Sequence, residues 1–89
     1  MALVNQARME VWLQLRREKT SLRLCLRACR RDLAAEAGVP PYVIFHDATL
    51  REMAQVRPKS LRDMGLITGI GDRKLEAYGD AFLAILKQF

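Results

Sequence analysis

The sequence is short of the residues on which most catalytic and metal sites depend. Its 89 residues include one histidine and two cysteines, and no phosphate-binding loop of the GxxxxGK[ST] kind. Cys25 and Cys29 lie one turn apart on a predicted helix, where disulfide geometry is poor, and a second cysteine pair for a zinc site is missing. We therefore expect buried thiols in a reducing compartment, no metal or cofactor bound by this domain, and no catalytic residues.

Long apolar runs are missing as well. None approaches the roughly 20 residues of a membrane-spanning helix, and the opening MALVNQARMEVW lacks the basic-then-apolar layout of a signal peptide. The hydrophobic fraction of 51% is that of a folded protein, and the length leaves room for one domain with a modest core. We expect a soluble cytoplasmic protein, or a fragment of one, with no membrane partner.

Glycine and proline are absent before Gly38, so nothing breaks a helix over the first 37 residues. One helix of that length would extend roughly 55 Å, which is too long for so small a domain. Thr20 and Ser21 offer a natural N-cap, so we divide the region there. The sequence therefore predicts an N-terminal helical extension or linker over residues 1–20 and a compact helical domain over residues 21–89.

The extension carries apolar residues on more than one face of its predicted helix. Val11 and Leu15 lie in helical register, and Trp12 adds apolar surface beside them. More apolar surface than one face can bury predicts a second contact, either with the domain or with another copy of the chain. Self-association through this segment is therefore an open alternative.

The compact part has helical periodicity, and the short stretch YVIF is its one strand-like pattern. An apolar stripe, a cap at Ser21 and termination at Gly38 define the first helix. The predicted elements are a helix over residues 22–37, a helix over 47–56 with Asp47 as N-cap, a short helix capped by Ser60, a tight turn at 69–71, and a helical region over 72–89 with a potential joint at Gly79. This predicts an all-α fold, a compact five-helix bundle with an additional N-terminal helical segment.

Positive charge is concentrated towards the start of the sequence. Residues 8–31 contain eight basic and two acidic residues, whereas the rest of the chain contains seven basic and eight acidic residues. A basic segment is typical of a protein that binds a polyanion, and it is also typical of a solvated helix face, so both interpretations stay open. Four of the basic residues share an arc of the predicted first helix: Arg23, Arg27, Arg30 and Arg31.

The stretch LITGIGDRKLEAYG resembles the hairpin of helix-hairpin-helix DNA-binding modules. Its two glycines let backbone N–H groups approach a phosphate, the following helix N-terminus adds a favourable dipole, and Arg73 and Lys74 add charge. A tight turn that needs glycine only for its dihedral angles would have the same sequence. A phosphate-binding role and a purely structural role therefore both stay open.

The stretch GVPPYVIFHD interrupts the helical pattern. Pro40 and Pro41 stiffen the loop, and at least two of the three apolar residues that follow Tyr42 must face the core. Tyr42 is then either a half-buried tyrosine whose hydroxyl caps a helix end, or a ring presented for stacking on a nucleobase. His46 precedes the capping Asp47 and is expected on the surface at a helix entrance.

Taken together, these stretches resemble the HRDC domain, the helicase-and-RNase-D C-terminal module. The resemblance covers about residues 22–86, and its VPPYVIFxDATL form is closer to bacterial RecQ-type DNA helicases than to RNase D. The residues that carry it are VPPYVIF at 39–45, DATL at 47–50, Arg57-Pro58, GIG at 69–71, KLE at 74–76 and Tyr78-Gly79.

The resemblance implies a five-helix bundle attached to a RecQ-type ATP-dependent helicase, where it binds DNA and tunes substrate choice in repair and recombination. ATP and Mg²⁺ are expected for the parent helicase and not for this domain, and the expected location is the bacterial cytoplasm, at the nucleoid. Tyr42 matches the position implicated in holding single-stranded DNA. The basic residues expected to join it in binding nucleic acid are Arg27, Arg30, Arg31, Lys59, Arg73 and Lys74.

Two functions other than DNA binding stay open. The domain could instead be a regulatory interaction module that docks on the helicase core of the same chain or self-associates. An RNase D-like parent would instead place the same fold on RNA.

Overall fold

The computed structural model describes residues 21–89 and shows an all-α fold. Helix α1 packs on α2, α3 and α5, and α4 packs on α5. The all-α class and the five-helix bundle are confirmed, whereas the helical extension predicted over residues 1–20 lies outside the described residues. The five helices of the described part are α1 (Leu22–Ala37), α2 (Pro41–Ile44), α3 (Asp47–Val56), α4 (Leu61–Met64) and α5 (Asp72–Leu86).

Helix α1 begins at the predicted cap and buries the predicted stripe. Oγ of Ser21 accepts a hydrogen bond from the N–H of Leu24 at 3.3 Å, which satisfies one of the orphan donors of the first turn. Cys25 and Cys29 lie on the buried face at 0% exposure and form no disulfide. Burial raises the pKa of the Cys25 thiol, so this side chain acts as a small apolar residue of the core.

The end of α1 is a left-handed glycine turn with its characteristic pair of hydrogen bonds. Gly38 has φ 69°, and its N–H donates to the carbonyl of Ala35 at 3.3 Å. The N–H of Val39 donates to the carbonyl of Ala34 at 3.0 Å, and Val39 packs against the core. Ala37, the last residue of α1, is exposed, because Val39 beyond the turn supplies the apolar contact at this end of the helix.

Most of the strand-like pattern YVIF is helical: α2 ends at Ile44, and Phe45 is its C-cap residue with an extended backbone. Pro40 precedes the turn and Pro41 opens it, at a position where a missing backbone N–H costs nothing. Ile44 and Phe45 are fully buried and Val43 is 38% exposed, so two of the three apolar residues face the core as predicted.

Phe45 anchors this turn to α5. Its ring meets Phe82 at a centroid distance of 5.1 Å and Tyr78 at 6.2 Å, both edge to face. Aromatic pairs of this geometry contribute about 0.5–1.5 kcal/mol beyond their buried area. The residues just before α3 are therefore held firmly, although they belong to a loop in sequence.

Helix α3 has the predicted bounds but not the predicted cap. His46 is the N-cap residue, and its side chain makes no capping hydrogen bond. Asp47 is instead the first residue inside the helix, where its charge still favours the positive end of the helix dipole. The cap prediction for Asp47 is wrong because its carboxylate is bound by Arg30 at 2.7 Å.

Helices α4 and α5 pack closely at a glycine. Ser60 caps α4 as predicted, accepting a hydrogen bond from the N–H of Asp63 at 3.1 Å. The joint predicted at Gly79 is wrong, because α5 continues unbroken through this position. A Cβ at Gly79 would lie 2.9 Å from Cδ2 of Leu61, so glycine here allows α4 to approach α5.

The turn between α4 and α5 is fastened to α3. Gly69 has φ 89°, and a Cβ at this position would collide with Oγ1 of Thr49. The hydroxyl of Thr49 donates to the carbonyl of Thr68 at 3.0 Å, and the N–H of Thr68 donates to Oε2 of Glu52 at 3.3 Å. Both the dihedral angle and the close approach therefore require glycine at position 69.

Three glycine substitutions separate these two requirements. Gly69→Ala suffers both strain and collision, and we expect a loss of about 2–4 kcal/mol in the free energy of unfolding. Gly38→Ala has a positive φ but nothing within 4 Å, so we expect a loss of about 1–2 kcal/mol. Gly71→Ala has neither problem and should stay within about 1 kcal/mol of wild type. Urea denaturation measures the order, and an equal effect at positions 69 and 38 would contradict the contact with Thr49.

Candidate nucleic-acid interface

Tyr42 lies on the surface of α2 with 58% of its area exposed. Its ring is stacked on His46, with centroids 6.0 Å apart and an angle of 26° between the planes. Its hydroxyl makes no hydrogen bond with the residues that the structure describes. The half-buried, helix-capping tyrosine that the sequence left open is therefore not what forms, and His46 lies on the surface as expected.

Arg30 is buried and not part of the exposed basic arc predicted for α1. It is 7% exposed, and its Nη1 donates to the carbonyl of Phe45 at 3.0 Å and to Oδ1 of Asp47 at 2.7 Å. Its Nε is buried without a hydrogen-bond partner among the described residues. These bonds tie α1 to the junction of α2 and α3. Because the guanidinium is engaged inside the fold, this placement argues against the nucleic-acid contact predicted for Arg30.

A small groove between α1 and α3 collects arginines. Arg23 and Arg27 of α1 line one side and Arg51 of α3 lines the other, with Leu50 and Asp47 between them. All three arginines are exposed, whereas Leu50 is 3% exposed and belongs to the core. We call this feature the arginine groove.

The carboxylate of Asp47 is the acidic group of the arginine groove, and its pKa lies below the ordinary value. The hydrogen bond from Arg30 is the largest cause, followed by the positive charge of Arg30, and Arg27 and Arg51 act in the same direction. Partial desolvation opposes them. Asp47 is therefore ionised and paired at neutral pH, and the groove stays net positive.

Two other residues of the predicted binding set lie apart from the groove. Arg31 is exposed on α1, where its Nε lies 3.2 Å from Oδ1 of Asp32, a surface contact of little energetic value. Nζ of Lys59 donates to the carbonyl of Leu86 at 2.6 Å. A cation at the C-terminal end of α5 satisfies an orphan carbonyl and suits the helix dipole. Arg31 is accessible to a ligand, whereas Lys59 has a structural partner.

Arg73 and Lys74 lie in the first turn of α5, directly after the N-cap residue Gly71. Arg73 is exposed and Lys74 is half-buried. Leu86, the partner of Lys59, lies about 18 Å further along the same helix. Lys59 and the Arg73-Lys74 pair therefore occupy opposite ends of α5.

Helix α3 separates the glycine turn from the arginine groove. Thr49 and Glu52 hold the turn, whereas Asp47 and Arg51 line the groove. At 100° per residue these two pairs lie on opposite flanks of the helix. The structure therefore does not bring Arg73 and Lys74 together with Arg27, and their phosphate-binding role stays a prediction.

Two residues of the arginine groove were not in the predicted binding set. Arg23 is recognisable from its four-residue spacing to Arg27 in α1. Arg51 follows Asp47 by one helical turn, and no local pattern distinguishes it from an ordinary solvated arginine. Only the packing of α1 on α3 places it opposite the other two.

Comparison with models of protein families matches residues 20–86 to the HRDC domain. The chain belongs to the HRDC domain family. The resemblance seen in the sequence is confirmed, and the matched residues include all five helices of the described part. The HRDC domain is a non-catalytic auxiliary module, and it occurs in helicases among the relatives of this chain.

Three relatives show how this HRDC domain relates to longer proteins. It is 44% identical to the ATP-dependent DNA helicase RecQ of Haemophilus influenzae over 63 residues, which are 71% of this chain and 10% of that protein. It is 41% identical to RecQ of Bacillus subtilis over 64 residues, 72% of this chain and 11% of that protein. It is also 41% identical to the ATP-dependent DNA helicase UvrD2 of Mycobacterium tuberculosis over 66 residues, 74% of this chain and 9% of that protein. The chain thus spans about a tenth of the length of these relatives.

The described part of the HRDC domain contains neither a metal-binding cluster nor a membrane-spanning helix. Between residues 21 and 89, no group of three or more His, Cys, Asp and Glu side chains is placed to hold a metal ion. None of the helices in this range has the length and apolar character that crossing a membrane requires.

The ion pair of Arg30 with Asp47 predicts how stability depends on pH. Because the pKa of Asp47 is lowered in the folded state, its carboxylate stabilises the fold above the ordinary aspartate range near 3.9, and this contribution is lost as the pH falls through the lower, folded-state value. Asp47→Asn should therefore lower the urea midpoint at pH 7, and its difference from wild type should shrink at pH 3. Asp80→Asn, at an exposed residue of α5 without an ion pair to the described residues, is the control. An Asp47→Asn difference of equal size at both pH values would contradict the linkage.

Proposed function

We propose that this HRDC domain is an auxiliary nucleic-acid-binding module of a RecQ-type ATP-dependent DNA helicase. In this role it binds single-stranded or structured DNA weakly and tunes the substrate choice of the helicase in DNA repair and recombination. The observation that carries the proposal is the exposed ring of Tyr42, stacked on His46 and held on a turn that two prolines begin.

The turn presents Tyr42 in a fixed position. Its backbone is restricted by Pro40 and Pro41, and the neighbouring Ile44 and Phe45 are fully buried. A ring held in this way loses little conformational freedom when it binds a ligand. Stacking of a base on an aromatic side chain contributes about 1–3 kcal/mol and tolerates any sequence, because every base has a flat face.

Exposed arginines of α1 support phosphate contacts beside the tyrosine. Arg27 and Arg31 lie on the helix that packs directly against α2. Phosphate contacts position a strand without reading its sequence, and each one makes binding sensitive to salt. An interface with so few phosphate contacts should bind weakly, and its log affinity should fall by only roughly 0.7 per phosphate contact for each tenfold rise in salt.

The remainder of the parent protein enters the proposal through the relatives. They are ATP-dependent DNA helicases of about ten times the matched length, so we propose that the helicase core of the same chain is the covalent partner of this domain. ATP and Mg²⁺ would be held by that core. A protein of this kind would work at the nucleoid in the bacterial cytoplasm.

Substitution of Tyr42 tests the stacking role. We expect Tyr42→Ala to weaken binding of a fluorescent single-stranded DNA about tenfold or more, while Tyr42→Phe, which keeps the ring, stays within about twofold of wild type. Because Tyr42 is largely exposed, neither change should alter the unfolding midpoint by more than a small amount. Fluorescence anisotropy at two salt concentrations measures the affinity, and unchanged binding by Tyr42→Ala would refute the proposal.

Comparing the affinity for an RNA and a DNA of the same sequence distinguishes a RecQ-type parent from an RNase D-like parent. A RecQ-type parent predicts that DNA is bound at least as tightly as RNA in the same titration. A preference for RNA of tenfold or more would instead support an RNase D-like parent and count against the helicase assignment.

The second candidate function is self-association, and one observation favours it. Val56 and Leu66 are 58% and 80% exposed and line the same shallow groove near α4. The groove also carries both signs of charge, with Lys59 and Asp63 among its lining residues. A surface with both charges around an apolar centre can pair with a second copy of itself across a two-fold axis. Single exposed aliphatic residues are common, which ranks this candidate below DNA binding.

Sedimentation equilibrium over a range of concentrations tests the second candidate. If the groove pairs two chains, the mass of the 89-residue chain should rise with concentration, and Leu66→Glu should keep it monomeric. Leu24→Glu, at an exposed leucine of α1 outside the groove, is the matched control and should still associate. A wild-type chain that remains monomeric throughout would exclude self-association through either this groove or residues 1–20.

A further inference from the structure

We propose that the arginine groove between α1 and α3 is a phosphate-binding subsite, in which Arg23, Arg27 and Arg51 hold the backbone of the strand whose base stacks on Tyr42. This inference rests on the proposed DNA-binding function and extends it to Arg23 and Arg51, which the sequence did not place in the site. It also gives Arg30 an indirect part in binding, through its ion pair with Asp47.

The charges of the groove favour the binding of an anion. Three guanidinium groups line it together with one carboxylate, and that carboxylate is already bound by a fourth arginine, Arg30, at 2.7 Å. Within the described residues, Arg23, Arg27 and Arg51 make no hydrogen bond and no ion pair of their own. Like charges placed this close repel one another, and a bound phosphate would relieve the repulsion while accepting several N–H donors at once.

The size of the groove selects the group that it accepts. Its volume is about 90 Å³, whereas pockets for drug-sized ligands measure roughly 300–1,000 Å³. A groove of this size matches a single phosphate group better than a nucleobase with its sugar. The buried Leu50 closes the bottom of the groove, so an anion would lie above it among the arginine side chains.

The groove and the tyrosine are connected through two adjacent residues. His46 stacks on Tyr42, and the next residue, Asp47, lines the groove. From there Arg27 and Arg23 continue along α1, separated by about 6 Å of helix. A strand whose base stacks on Tyr42 can therefore pass its phosphates over Arg27 and Arg23, with Arg51 facing them from α3.

Asp47 opposes this binding, and Arg30 limits the opposition. A free carboxylate beside the three arginines would repel a phosphate, but the ion pair with Arg30 neutralises much of its charge and fixes its position. Because Arg30 is 7% exposed, it stays inside the fold and does not compete for the ligand. Arg30 is thus a positioning residue for the groove and not a contact residue.

Salt-dependent titration of single-stranded DNA tests the groove. The double variant Arg23→Gln/Arg51→Gln should weaken binding about threefold to tenfold at low salt. The slope of log affinity against log salt should become shallower by roughly 0.7 for each phosphate that the variant no longer binds. The reduction in affinity should be the same for different base sequences, because phosphate contacts carry no sequence information. Arg62→Gln, at an exposed arginine of α4 outside the groove, is the control and should change neither quantity.

The variant Asp47→Asn should change DNA affinity in the opposite direction from the arginine variant. Removing the carboxylate raises the positive potential of the groove, so we expect DNA affinity to rise about twofold to fivefold at low salt even though this variant is less stable. A general loss of structure would lower the affinity instead. An increase supports the groove, and a decrease or no change counts against it.

The outcomes also separate this inference from the function on which it rests. If wild type binds DNA and Tyr42→Ala weakens binding, but the double arginine variant keeps both affinity and salt slope, the groove inference is wrong and the proposed function stands. A weaker affinity with an unchanged salt slope would also overturn the groove, because the variant would then neutralise as many phosphates as wild type. If wild type binds no DNA at low salt, the proposed function fails first and the groove inference fails with it.

Discussion

The bond network of Arg30 is the interaction on which the candidate interface depends. One buried guanidinium nitrogen binds both the carbonyl of Phe45, at the end of α2, and the carboxylate of Asp47, at the start of α3. A charged group inside a fold is costly unless it is paired, and removing one partner leaves the other unsatisfied. The network therefore specifies one arrangement of α1, α2 and α3, and the exposed groups around it take their positions from that arrangement.

Two surface features follow from this junction. On one side, the α2 turn carries Tyr42 outward and sets it against His46. On the other, α1 and α3 lie close enough for arginines from both helices to share a groove around Asp47. The glycine turn before α5 is fastened to the opposite flank of α3, so the domain carries basic groups on separate faces. The path proposed for a strand runs from the tyrosine to the groove.

Local chemistry made much of the fold predictable, and the predictions that were wrong have clear physical causes. The helix bounds at Ser21 and Gly38 follow from backbone groups that neighbouring residues satisfy, so they can be read from the sequence. Asp47 and Gly79 were misassigned because their roles depend on a partner distant in the chain, Arg30 in one case and Leu61 in the other. The candidate residues show the same division: the prolines indicated a stiff turn but left the exposure of Tyr42 open, Arg30 looked exposed until its buried partners were known, and Arg51 had no distinguishing pattern.

By itself, the sequence determined the all-α class, most helix ends, the HRDC family and the stiffness of the turn that carries Tyr42. These properties depend on contacts within a few residues or on motifs that persist in linear order. Only the tertiary structure decided which arginines are buried, which lie together and which are separated by a helix. The physical reason is that burial and pairing depend on the packing of α1 against α2 and α3, and a charge pattern on one helix does not specify which side of it a neighbour will cover.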